Sequence, residues 1–225
     1  MFVILDITDP FVKLIVFIVI AYVFLKLPIF GKYVSVVNTL FHEVGHALMA
    51  LLTGGQVEKI ELFSNSEGVA WSSNRFWLGR VLTSLAGYPT ASATSFLFLY
   101  LISKGDYIYV FIILIAVLVF SFIFWIRNLY GLLWVITFTA LFTLLALYGS
   151  EVLVSNILLI ITSIIFVESI TTSFDILKLS FSQPTRAGDA TSLWKSIIFI
   201  PSPIWGVLFF VQSIVFGTLG VSLFL

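Results

Sequence analysis

The chain has 225 residues, 60% of them hydrophobic and only 10% charged, with a mean hydropathy of +1.17. A soluble domain of this length cannot hide that much apolar surface, since ordinary globular chains are about 45–50% apolar and about 25% charged. A net charge of zero gives no footprint for nucleic acid, and the absence of cysteine excludes disulfides and thiolate chemistry.

The long apolar runs predict an all-α polytopic membrane protein of about seven spans with a small β-hairpin on the cytoplasmic side, as one domain over 1–225. A barrel would instead alternate over segments of about ten residues. The spans are expected at about 10–30, 34–53, 77–102, 107–126, 129–148, 152–173 and 203–225, each near the roughly 20 residues that cross a bilayer core. Turn chemistry separates them: Pro28 with Gly31, Gly54-Gly55, Lys104-Gly105-Asp106, Arg127-Asn128 and Gly149-Ser150-Glu151. The first stretch, Phe11 to Phe30, is too long for a signal-peptide core and lacks a small-residue cleavage site, so it is expected to be retained.

The second segment ends in "TLFHEVGHALMALLTGG", Thr39 to Gly55, which holds both histidines of the chain four residues apart. On a helix, positions i and i+4 share a face, so His42 and His46 can present two imidazoles to one metal ion. Glu43 sits about 100° further round, within reach of a metal-bound water without itself ligating. This is the His-Glu-x-x-His arrangement of zinc metalloproteases, with two nitrogen ligands, a general base and an open position. Zinc brings the pKa of such a water towards neutrality, and the glutamate takes its proton. An ionisable side chain in a span costs at least about 2.5 kcal/mol, so two histidines and a carboxylate there point to function. Gly45 and Ala47 allow a neighbouring helix close approach.

The polar segment from Gly54 to Asn74 reads as a β-hairpin with its turn near Asn65 to Gly68. Its edge can take an unwound substrate segment as an added strand. In the third span, Gly87, Ala91 and Ser95 at i, i+4, i+8 predict helix packing, and Pro89 predicts a kink. Arg127 is expected to snorkel to the interface. The segment from Phe174 to Pro203 reads as a loop followed by a short helix opening near Asp189 and stopped by Pro201 and Pro203.

A catalytic zinc takes a third protein ligand, and with no cysteine or further histidine it must be a carboxylate. Three candidates stand at a suitable depth. Asp189 opens the short helix, where Asp is also a good N-cap. Asp175 ends the sixth span and can bond Lys178 at i+3. Glu168 lies about 17 residues, hence about 25 Å, from the outer end of its span, level with the histidines. The residues alone leave the three open.

Lysines and arginines set the orientation. If the spans alternate, Lys13, Lys59, Arg75, Arg80, Arg127, Lys178, Arg186 and Lys195 share one side, against Lys26, Lys32 and Lys104 on the other. The N-terminus, the hairpin and the Asp189 segment are therefore expected on the cytoplasmic side, with His46 about 10 Å below that surface.

Taken together, "FHEVGHALMALLTGGQVEKIEL", "EGVAWSS", "LAGYPTASATS" and "FDILKLS…AGDATSLW" resemble the site-2 protease family of intramembrane zinc metallopeptidases, in a small branch without PDZ or CBS domains. The resemblance covers about Phe41 to Trp194. It implies one Zn2+ per chain bound by His42, His46 and a late Asp, with Glu43 as base. The Gly-Asp-Ala-x-x-Leu setting carries the late role to Asp189, and Asp175 also matches a position in that pattern. The Leu-Asp-Gly of better-studied members is absent. The expected function is an intramembrane zinc metalloprotease cutting a single-span membrane-protein substrate near the cytoplasmic face. The alternative is a non-proteolytic membrane-protein binder or chaperone that retains the metal site. Membrane lipid and the substrate are the expected partners, nucleic acid is not, and nothing in the sequence sets an oligomeric state.

Overall fold

The computed structural model describes residues 8–225; the first seven residues of the expected single domain lie outside the described residues. In chain order the elements are α1 (Pro10–Leu25), α2 (Phe30–Leu52), β1 (Gln56–Leu62), β2 (Gly68–Ser73), α3 (Trp77–Ser103), α4 (Tyr107–Phe124) and α5 (Leu129–Tyr148). Then come α6 (Glu151–Ser182), a 3-10 turn (Pro184–Arg186), α7 (Gly188–Ser196) and α8 (Ser202–Ser222). The protein is an integral membrane protein, all-α apart from the two-stranded sheet.

Helices α3, α4, α5, α6 and α8 are each long and apolar enough to cross a membrane. The first two expected spans behave differently. They meet that test only as a pair, bent by 112° at the break between Leu25 and Phe30, so among the described residues the candidate spans number five, or six with the pair. The reason is local: Pro28 disfavours helix at the residue before it, α1 covers only about 24 Å, and α2 carries the polar motif. Asp9 caps α1 by accepting from the Val12 N–H at 3.0 Å, with Pro10 in the first turn.

Helix α6 also departs from expectation. The span predicted to end near residue 173 continues as helix to Ser182, 32 residues in all. No Gly or Pro interrupts it before Pro184, and the polar Asp175 and Lys178 stand on its outside, 3.3 Å apart. At about 48 Å it outreaches a bilayer core of about 30 Å. Only the short 3-10 turn separates it from α7, so the expected long loop is a helical extension and a tight return.

Helices α2, α3, α6 and α8 form the centre, with α1 against α6 and the α4–α5 pair on the flank. Close approach of α2 and α3 requires glycine: a Cβ on Gly45 would stand 2.5 Å from Thr90 Oγ1. Helix α5 turns a four-residue-spaced aromatic face inward, with Trp134 stacked on Phe138 at 4.8 Å and Phe138 on Phe142 at 4.9 Å. The Trp134 indole N–H donates to the Tyr33 carbonyl at 2.8 Å, tying α5 to α2.

The hairpin forms where expected, its turn lying between Leu62 and Gly68 with Ser66 in the left-handed region at φ 68°. Thr39 Oγ1 on α2 donates to the Ser66 carbonyl at 2.7 Å, so the turn is pinned back along α2. The two strands are antiparallel, with Ile60 opposite Ala70 and Leu62 opposite Gly68. The outer edge of β1 is already taken by the α4–α5 connection. The Ile60 N–H donates to the Trp125 carbonyl at 2.8 Å, and the Ile60 carbonyl accepts from the Arg127 N–H at 3.3 Å. Asn128 then acts as a strand partner through its side chain, Oδ1 accepting from the Leu62 N–H at 3.1 Å and Nδ2 donating to the Leu62 carbonyl at 2.6 Å. Arg127 does more than snorkel: its guanidinium donates to the carbonyls of Ile123, Phe124 and Ile126, closing the end of α4.

Candidate metal centre

Helical spacing puts His42 and His46 on one face of α2, and their Nε2 atoms stand 3.0 Å apart. The return from α6 into α7 brings Asp189 to the same point, its Oδ2 3.2 Å from each Nε2. Asp189 lies in the first turn of α7 and is not its cap, since Ala187 holds that position. The other two carboxylates are elsewhere. Glu168 accepts a hydrogen bond from Ser35 Oγ at 2.6 Å, and Asp175 faces outwards to Lys178. Among the described residues, His42, His46 and Asp189 are the one group of three or more such side chains whose donor atoms converge.

The donor set fits a zinc ion. Bonds of about 2.0–2.2 Å in a tetrahedral site separate neighbouring donors by about 3.3 Å, close to the 3.0–3.2 Å found here. The imidazole orientation is fixed from behind. His46 Nδ1 lies 2.6 Å from the Thr83 carbonyl, which accepts its N–H and leaves the Nε2 lone pair facing the centre. Gly87 on α3 shapes the opposite wall, because a Cβ there would stand 2.5 Å from both Nε2 atoms. The neighbouring Tyr88 ring packs edge-on against His42 with centroids 4.7 Å apart.

Glu43 is 5% exposed and sits between this centre and β2. A Cβ on Gly68 would stand 2.8 Å from Glu43 Cγ, and the Ala70 N–H faces the carboxylate. The backbone groups of Ile60 point away from β2, so in an antiparallel ladder those of its partner Ala70 point to the opposite, free edge. That free edge runs along a cavity of about 820 Å³, whose lining includes Asn38, both histidines, Glu43, Gly68, Ala70, Thr172 and Asp189. The volume is in the ~300–1,000 Å³ range of binding sites.

Sequence reasoning reached His42, Glu43 and His46 and missed their supports. Gly87 was legible only as a packing glycine; that it packs on the histidines is a tertiary fact. The Thr83 carbonyl carries no side-chain signal at all. The sequence profile of a family described as Peptidase M50B-like matches residues 14–220. No curated protein and no solved structure matches the chain. The chain belongs to the Peptidase M50B-like family, whose members are metallopeptidases and in general zinc-dependent.

Proposed function

We propose that this member of the Peptidase M50B-like family is a zinc endopeptidase that hydrolyses a peptide bond in a single-span membrane-protein substrate near the cytoplasmic face. The observation that carries the reading is the convergence of three donor atoms within 3.2 Å, with a glutamate of α2 beside them that faces the outer edge of β2. His42, His46 and Asp189 hold the metal. When bound, zinc supplies a Lewis acid that lowers the pKa of water and polarises a carbonyl.

Glu43 takes the proton of the attacking water and passes it to the departing amine. Its position against the Ala70 N–H holds the carboxylate towards the substrate side of the site. A transmembrane helix hides its carbonyls in its own hydrogen bonds, so a substrate must be opened before it is cut. The free edge of β2 offers such a segment new backbone partners in an extended form. Lipid and substrate are the only partners this chemistry needs, and one domain supplies all of it. Across the spans from α3 to α8, Lys59, Arg75, Arg80, Arg127, Lys178, Arg186 and Lys195 flank one side against Lys104 on the other, which favours a cytoplasmic hairpin and α7. The N-terminus shares that side where the bent α1–α2 pair enters and leaves by the same face. Because the chain has no cysteine, single cysteines placed at the hairpin tip or at Gly105 report orientation by labelling from one side.

The test is metal content of detergent-purified protein by mass spectrometry, paired with cleavage of a model span. About one zinc per chain is expected in wild type, Glu168→Ala and Asp175→Ala, and none in His46→Ala or Asp189→Ala. Glu43→Gln keeps the metal and loses cleavage. A Glu43→Gln protein that cuts as fast as wild type sinks the reading. Cellular function that survives Glu43→Gln favours the non-proteolytic binder or chaperone.

A further inference from the structure

One buried polar group in the cavity has no part in the chemistry above. Asn38 is 3% exposed and lines the cavity, and its Oδ1 has no hydrogen-bond partner. An orphaned carboxamide oxygen inside a membrane protein is costly to keep. Its neighbours on α2 have fixed partners: Thr39 holds the Ser66 carbonyl, and Ser35 bonds Glu168.

The placement of Asn38 suggests its donor. It precedes His42 by four residues, one turn along the same face of α2. Thr39, the next residue on α2, pins the hairpin turn at this level, and β2 begins at Gly68 against Thr39 and Glu43, in the lining of the same cavity as Asn38. A peptide laid on the free edge of β2 passes the metal centre and then runs off the end of the strand. One helical turn is about 5.4 Å, or about two residues of extended chain. Two residues along the edge from Ala70 the strand ends at Gly68, and the unpartnered carboxamide oxygen of Asn38 in the same cavity is the next acceptor on offer. On the other side of the same hairpin the chain already uses this device, where the Asn128 side chain takes both backbone groups of Leu62.

We propose that Asn38 is a substrate-binding residue whose carboxamide hydrogen-bonds the main chain of an extended substrate segment, about two residues beyond the bond to be cut on the Gly68 side of the site. The ligand class is an unwound stretch of a membrane span, recognised through its free peptide N–H rather than through a side chain. The proposal rests on the peptidase reading for its substrate, but its test does not depend on cleavage.

The experiment measures binding to full-length Glu43→Gln protein in detergent. The probe is a synthetic Leu/Ala span peptide with a central Gly-Gly-Ser-Gly segment, made also as a series in which one backbone amide at a time is replaced by an ester. Adding Asn38→Leu should weaken binding about tenfold while zinc content and the thermal midpoint hold. One ester position should cost about tenfold in the Asn38 protein and nothing in the Asn38→Leu protein, because the N–H it removes has lost its acceptor. Equal binding by both proteins overturns the proposal, as does an ester series that affects both alike. No binding by the Glu43→Gln parent overturns it too. Should Asn38→Leu misfold, Asn38→Ser, whose side chain is too short to reach, is read by the same criteria. Zinc-loaded wild type that cuts no membrane substrate removes the peptidase reading, while the ester series still judges Asn38 by itself.

Discussion

Helices α4 and α5 contain no charged residue, yet only 22% and 28% of their most apolar stretches are buried. Helices α3 and α6, which carry arginine, glutamate, serine and threonine, are 50% and 56% buried. In water the order would be reversed. Lipid is as apolar as leucine, so the oiliest helices go outside, and the interior is left to small and polar side chains that pack closely and line the cavity. The polar half of this membrane protein is therefore its working half, and the α4–α5 pair is its coat.

The predictions set these two halves against each other, beginning with the largest effect. Glu43→Gln should slow cleavage of a membrane substrate by about 10²–10⁴-fold at unchanged zinc content, measured as turnover in proteoliposomes. Gly87→Ala should weaken zinc binding about 10–100-fold by pushing a methyl group into both imidazoles, read by competition with a chelator. In the coat, the inward Leu118, fully buried, should cost about 2 kcal/mol or more on truncation to alanine. The outward Ile123 on the same helix should cost less than about 0.5 kcal/mol, and reversible unfolding in detergent compares the two. Comparable losses would mean that α4 is buried against a further partner. Asn128→Ala, which unties the coat from the hairpin, should cost about 1–2 kcal/mol and speed amide exchange at Leu62.

The smallest effect concerns pH at the hairpin surface. Hydrogen bonds from the Lys59 ammonium and the Trp71 indole hold the Glu61 carboxyl below its ordinary value. A depressed folded-state pKa gives stability that is present above the unfolded value and lost as pH falls through the folded one. Lys59→Ala should move the Glu61 titration midpoint upward by NMR, and Trp71→Phe should move it upward less.

Different parts of this molecule were legible for different reasons. The motif from His42 to His46 needed only helical geometry, because all its members share one element. The hairpin announced itself by composition. Asp189 was legible only through its likeness to the family's late motif, since three carboxylates met the same chemical requirement; the length of α6 and the tightness of its return are what bring it to the histidines. That length was itself hidden, because Asp175 and Lys178 look like the end of a span when they are the solvated face of a continuing helix. The bend between α1 and α2 was marked by Pro28 but read as an ordinary connection. The role of Asn128 as a substitute strand was invisible, because its partner Leu62 lies 66 residues away.

The overhang of α6 has a consequence for biosynthesis. Both histidines are made early, and the carboxylate that joins them follows about 140 residues later, on the helix that returns from the end of α6. At about 5–20 residues per second, the donor set stays incomplete for roughly 7–28 seconds of translation. For that interval the nascent chain holds two of the three donors, and the cavity lacks the wall that α6 and α7 give it. The order of the chain thus leaves the third donor to the last, so the group of three is complete only when nearly all of the protein has been made.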